Sequence, residues 1–303
     1  MNSTTEINHE KLMELFGSVF NDVAGSMAIM MSYLGDQTGV YRAMDKLGPA
    51  SVEEIAKESN VDERYLLEWL SSNSGRGYVT YHDDEEKFSL SPEQAAVFAR
   101  ENEPTCIQGL VQGVVGQFVK EDIAVDVFQT GRGRPWGEHH ECCFCGTERF
   151  FRPAYAGHLL DEWIPAMEGV EDKLKKGAKV ADIGCGLGTS SMLMAEQYPN
   201  STIHAFDFHG PSIDEAKKRA AEKGLDNLEF FVSDAAAIPN ESYDLACIFD
   251  AWHDMGDPVG VAKSIKDTLA DDGTFMVVEP MALDGLKNNI ENNPSSSMFY
   301  GFG

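Results

Sequence analysis

Basic side chains are scarce in this chain: 24 Lys and Arg stand against 50 Asp and Glu, for a net charge of −26. Nucleic-acid phosphates would be repelled unless that charge were sharply segregated. The acidic surplus fits solubility or adaptation to salt. Cysteine is sparse too, at six in 303 residues, which argues against a disulfide framework. No leading segment joins a basic start to an apolar run and a small-residue cleavage site, so a cytoplasmic location is expected. The longest apolar stretch, Met27 to Leu34, is far too short to span a bilayer. Internal repeats and low-complexity tracts are absent. What remains is an ordinary soluble composition, on a length that accommodates two domains with separate cores.

Residues 1–100 read as helices followed by a hairpin. Residues 9–34 carry long apolar helices. Ser51-Val52-Glu53-Glu54 is a capping box opening a helix over 55–58. Asp62 caps a second helix at 63–72, with Tyr65, Leu66, Trp69 and Leu70 on its apolar side, and Gly75 and Gly77 break it. Residues 78–81 and 87–90 then alternate as a hairpin around the acidic tip Asp83-Asp84-Glu85-Glu86. Helix, turn, helix, hairpin is the order of a winged helix. A DNA-reading version needs a basic second helix and wing, whereas residues 1–100 hold 17 acidic and 8 basic side chains. Dimerisation or cover of an active site fits this domain better.

Residues 101–176 read as a helical connector. Within it, His139-His140-Glu141-Cys142-Cys143-Phe144-Cys145 offers metal-ligating residue types. Only Cys142 and Cys145 have the spacing of a zinc pair, and no second pair follows. A loop close to the active site or plain packing are the alternatives, and no metal is assigned. Phe151, Tyr155 and Trp163 are either helix core or the wall of a substrate pocket.

From 177 to 303 strands and helices alternate, with strands expected at 179–183, 202–207, 228–233, 244–250 and 273–279. Helices are expected at about 189–197, 211–223 and 257–269. Such alternation predicts an α/β, Rossmann-like, doubly wound parallel sheet, whose ligands bind at the carboxyl ends of the strands. The run Asp182-Ile183-Gly184-Cys185-Gly186-Leu187-Gly188 turns from strand to helix on alternate glycines. Asp207 follows the second strand, suited to ribose hydroxyls, with Phe208 beside it. Asp234 and Ala235 follow the third strand, where a carboxylate can accept from an adenine amino group. Asp250, Trp252, His253 and Asp254 follow the fourth. A single acid at a strand end is commonly a cap or turn residue; three at successive ends are harder to explain that way.

This arrangement resembles class I S-adenosylmethionine-dependent methyltransferases over residues 179–280. The motif Asp182-x-Gly184-x-Gly186-x-Gly188 is closer to their first motif than to the dinucleotide fingerprint. The resemblance implies the glycine turn for the methionine part of the cofactor, Asp207 for ribose, and Asp234 with Ala235 for adenine. Phe208 is the residue expected to pack on adenine, and Asp250 is also placed at the cofactor. With its winged helix, the chain is similar to small-molecule O-methyltransferases and to bacterial winged-helix methyltransferases. There a His-Asp pair after the fourth strand supplies the catalytic base and a glutamate ending the fifth strand holds the histidine. His253, Asp254 and Glu279 stand at those places. A histidine titrates near neutrality, so it can take a hydroxyl proton, and a carboxylate on its other nitrogen fixes the tautomer.

Two departures are visible. Trp252 precedes the His-Asp pair and Met255 follows it, and the family's seven-stranded order 3-2-1-4-5-7-6 stops here after the fifth strand. Residues 298–303 are apolar and uncharged, so the chain reads as truncated. The expected function is methyl transfer from S-adenosylmethionine to a small-molecule acceptor, with a hydroxyl favoured, no membrane or nucleic-acid partner, and a homodimer through the N-terminal domain. An N- or C-methyltransferase without a histidine base, a cofactor-sensing winged-helix regulator and a Rossmann dehydrogenase remain alternatives.

Overall fold

The structure, a computed structural model, describes residues 7–302. Its contacts divide the chain into two compact units, residues 7–119 with Glu141–Phe150, and Lys120–His140 with residues 151–302. The stretch expected to be one connector is thus shared between them. Among the described residues, no helix is long and apolar enough to cross a membrane.

The first unit begins with α1 (His9–Gln37), a single helix where the sequence indicated several, capped by Asn8 accepting from the Lys11 amide. Then come α2 (Val40–Leu47), α3 (Val52–Ser59) and α4 (Glu63–Gly75). The capping box forms as expected: the Glu54 amide donates to Ser51 Oγ, and the Ser51 amide donates back to the Glu54 carboxylate. Asp62 accepts from the amides of Arg64 and Tyr65. Strands β1 (Thr80–His82) and β2 (Lys87–Ser89) pair antiparallel, with Ala50 bridging to Phe88 on the far side. Tyr41, Met44, Ile55, Leu66, Trp69, Leu70 and Phe88 close the core of this winged helix. Fully burying each such large apolar side chain stabilises by about 1.5–3 kcal/mol. After α5 (Pro92–Phe98), α6 (Gln108–Val119) meets the first turns of α8 (Glu141–Ala154) at backbone range. A Cβ on Gly146 would lie 2.5 Å from the Gly113 amide nitrogen.

One face of α1 stays exposed. Leu12, Phe16, Val19, Val23 and Met30 recur at steps of three, four and seven, with Met13, Phe20, Met27 and Leu34 alongside, and all nine are 37–65% exposed. Between residues 15 and 35 the only charged side chain is Asp22.

The second unit opens with α7 (Glu121–Thr130) and, beyond Phe150, continues the α8 helix into a π-helix, Tyr155–Trp163. Next are α9 (Val170–Lys176), β3 (Lys179–Ile183), α10 (Thr189–Gln197), β4 (Thr202–Asp207), α11 (Gly210–Lys223), β5 (Leu228–Val232), β6 (Tyr243–Phe249), α12 (Pro258–Thr268) and β7 (Leu269–Val278). Helices α13 (Leu286–Asn292) and α14 (Ser296–Phe302) follow. The sheet order is β5-β4-β3-β6-β7, parallel throughout. Alternate side chains feed opposite faces. Leu245, Cys247 and Phe249 join the core under α9, α10, α11 and the π-helix, whereas Ala246 and Ile248 join the one under α12. Strand β7 starts four residues earlier than the sequence indicated. Tyr243 pairs with Leu269 but Leu245 pairs with Thr274, so Ala270–Gly273 bulge out between two registered pairs.

Candidate active site

Three turns at the carboxyl ends of adjacent strands converge in the second unit. Asp182, near the end of β3, is completely buried; its Oδ2 accepts from Ser190 Oγ at 2.7 Å and Ser191 Oγ at 2.5 Å. Its Oδ1 has no hydrogen-bond partner, and burial pushes the carboxyl up to about 6. The glycine turn follows. Gly184 has φ 73° and Gly188 φ 78°, and a Cβ on Gly188 would sit 2.7 Å from the Phe230 ring. Only glycine fits either position. A Cβ on Gly184 would lie 2.8 Å from Cβ of Ala251, so this turn packs directly on the loop after β6.

Asp207 ends β4 and is nearly buried. Its Oδ2 accepts from the Gly186 amide at 2.9 Å and its Oδ1 from the His209 amide at 2.8 Å. Burial raises its pKa, and those two amides pull against the rise. The carboxylate therefore braces the glycine turn against the β4–α11 turn, a role its position in sequence did not reveal. Phe208 beside it is exposed. After β5, Asp234 is exposed and accepts from the Ala236 amide at 2.8 Å, capping the short turn Ala235–Ala237. The loop that ends in His139 and His140 lies close by. Arg132 forks onto Asp126 and Glu138 and so shapes the loop 132–140. A Cβ on Gly137 of that loop would stand 3.5 Å from the His209 ring.

The third turn carries the titratable cluster. Asp250 has φ 50°, a left-handed backbone uncommon for aspartate, and its amide donates to the Val278 carbonyl at 2.8 Å. His253 Nδ1 pairs with Glu279 Oε2, and its Nε2 lies 3.6 Å from Asp254 Oδ1. Glu279 Oε1 accepts from the Trp252 amide at 2.8 Å and from the Ala251 amide at 3.2 Å. Burial opposes ionisation of Glu279, but the bonds from His253, Trp252 and Ala251 outweigh it and hold the carboxyl below its usual range. The hydrogen bond to Glu279 lifts His253 to about 9 against the cost of burial, helped by the Asp254 and Asp250 charges. Asp250 rises to about 7, chiefly by burial. Side-chain ligand atoms of Asp250, His253 and Glu279 lie within 4.8 Å of one another, a spacing within a cation's reach. Both Glu279 oxygens, however, are already bonded to the ring and two amides, which makes His253 and Glu279 a hydrogen-bonded acid–imidazole pair with Asp250 beside it.

Phe249, the last residue of β6, carries an aromatic group. Tyr155 and Trp163 from the π-helix stand 5.4 and 6.3 Å from its ring. Tyr155 is buried core and Phe151 stacks beside it at 6.1 Å. The π-helix that aligns them is a geometry associated with functional sites, and no residue pattern announces it. The His139–Cys145 run is split between the units. In the first, Cys142 Sγ lies 3.5 Å from the Tyr33 hydroxyl and Cys143 Sγ is 3.7 Å from the Gly113 carbonyl, so both thiols serve helix packing. In the second, burial pushes His139 down to about 4.

Residues 174–300 match the family model described as a methyltransferase domain, and residues 25–100 match one described as an Rv2258c-like winged HTH domain. The sterol 24-C-methyltransferase erg-4 of Neurospora crassa is 29% identical over 176 residues, 56% of this chain and 43% of its own. The aklanonic acid methyltransferase DauC of a Streptomyces species is 32% identical over 108 residues, 35% of this chain and 49% of its own. This chain thus spans less than half the length of these relatives. Among solved structures, the mitomycin 7-O-methyltransferase MmcR superposes with a TM-score of 0.69 at 15% identity, over 97% of this chain and 86% of that one. Human N-acetylserotonin methyltransferase, solved in complex with SAM, gives 0.68 at 14% identity, over 99% and 86%. At such identities these two likenesses establish the fold. Residues 174–300 are thus similar to a methyltransferase domain, and residues 25–100 to a winged helix-turn-helix domain.

Proposed function

We propose that this protein is a cytoplasmic S-adenosylmethionine-dependent methyltransferase that acts on a hydroxyl of a small molecule. The observation that carries this reading is the His253–Glu279 pair, whose histidine stands on the loop that packs against the glycine turn.

The residues present fit the cofactor. Asp182 Oδ1 is a buried acceptor without a donor, and the methionine part brings an ammonium. Gly184, Gly186 and Gly188 leave their backbone bare for it. Asp207 would hold the ribose hydroxyls, Phe208 would cover adenine, Asp234 and Ala235 would meet its amino edge, and Asp250 would close the cofactor side of the cluster. When bound, the cofactor supplies a methyl group on a positively charged sulfur, so the protein's work is chiefly positioning. Glu279 keeps the proton on Nδ1 and so turns Nε2 of a neutral His253 toward the acceptor hydroxyl as general base, with Asp254 beside it. Phe151 and Trp163, partly exposed against the buried Tyr155 and Phe249, would offer an apolar wall to a ring-bearing acceptor. The acidic winged helix is not a nucleic-acid reader on this account. It pairs two copies through the exposed face of α1.

Replacement of His253 by Ala tests the assignment. Transfer to a hydroxyl acceptor is expected to fall by 10²- to 10⁴-fold, as loss of a general base does, while cofactor binding persists by calorimetry. A variant that no longer binds cofactor would make the histidine structural.

A further inference from the structure

We propose that His253 rests as an imidazolium within a ring of carboxylates and releases its Nε2 proton to solvent when a sulfonium cofactor fills the glycine turn. The cofactor's charge, rather than mere occupancy, then arms the base. This rests on the reading given above and adds a proton to it.

The geometry supplies the first half. One imidazole faces three acids: Glu279 at the end of β7 on Nδ1, Asp254 from the β6 loop 3.6 Å from Nε2, and Asp250 from the same loop within 4.8 Å. These are the charged groups that bear on the ring. Crowded carboxylates of one sign favour a proton in their midst, and His253 is pushed up to about 9. Such a ring is protonated at neutral pH and has no lone pair on Nε2 to offer. A resting base of this kind needs something to discharge it.

Packing supplies the second half. The Gly184 backbone touches Ala251, the residue after Asp250, and the Ala251 amide donates to the Glu279 carboxylate that holds the ring. A positive charge held at the glycine turn therefore acts on the same acids that stabilise the imidazolium. At the effective dielectric of a partly buried site, a neighbouring unit charge alters a proton's affinity by about ten- to a hundred-fold. His253 thus loses the N–H bond at Nε2, the proton passes to water, and the freed lone pair faces the acceptor. Once the methyl has moved, the sulfur is neutral. His253 then keeps the proton it took from the hydroxyl until another charged cofactor displaces it.

Titration calorimetry of the intact chain at pH 8, in two buffers of different ionisation enthalpy, counts the protons. S-adenosylmethionine is expected to release roughly 0.4–0.8 of a proton on binding and S-adenosylhomocysteine, whose sulfur is uncharged, none. An analogue bearing an amine in place of the sulfonium should behave like the former. His253→Asn should still bind and release nothing. Equal release with both natural ligands, or none with S-adenosylmethionine, overturns the proposal. Failure of both ligands to bind sinks the cofactor reading, and this proposal with it.

Discussion

Asp207 holds the amides of Gly186 and His209 on its two oxygens, so the ribose acid of the proposed site also keeps two turns in register. An asparagine there presents one acceptor and one NH₂, which leaves an amide facing a donor. Asp207→Asn is therefore expected to destabilise the cofactor-free protein by about 1–3 kcal/mol in urea unfolding. Asp234→Asn, an exposed change at a short turn, should stay within about 0.5 kcal/mol. Equal losses at the two positions would mean that the brace contributes nothing. Residue identities at strand ends are legible in the sequence because they follow a topological rule. That Asp207 spends both oxygens on backbone is not, since it depends on how two turns meet in space.

Elements separate into those that announce themselves and those that do not. The capping box at Ser51 and the Asp62 cap mark α3 and α4 within a few residues, because a cap is a local hydrogen bond. Continuous apolar runs mark the parallel strands because both faces of such a sheet are covered. The early start of β7 and the π-helix at 155–163 arise from tertiary pairing and packing, and carry no local signature. Helix α1 has a period that the sequence reading took only as apolar. Large apolar side chains expose ~150–250 Å² each when free, so its nine half-exposed residues offer roughly 800 Å², one partner's share of a standard interface. The protein is expected to sediment at twice its 33.3 kDa mass, and Phe16→Asp with Phe20→Asp at the monomer mass. A wild-type monomer at tens of micromolar would overturn the pairing.

At the scale of the whole molecule, buried acids set the response to pH. The Asp182 carboxyl titrates at about 6 when folded against 3.8 when free. The folded chain holds more protons than the unfolded one across that window, and stability falls as pH rises through it, by about 3 kcal/mol. Asp250, at about 7, acts with the same sign. His253 adds stability below 6.5 that is lost as pH rises through about 9. Asp45 and Glu54, held down by the Arg100 side chain and the Ser51 amide respectively, act oppositely and lose their contribution in acid. Maximal stability is therefore expected on the acidic side of neutrality. Asp182→Asn should raise the urea midpoint at pH 8 and confer no advantage at pH 4; equal midpoints at both would exclude the carboxyl as the cause.

The contact between Gly109 and Gly146 leaves no room for even a methyl group on either residue. In a saturation screen scored by methyl transfer, these two positions would look as intolerant as His253, although both lie in the unit that contains none of the proposed catalytic residues. A map of activity alone would draw a second hotspot there. Only an abundance measurement run beside it would separate side chains that carry out the reaction from a helix crossing that allows no atoms to spare.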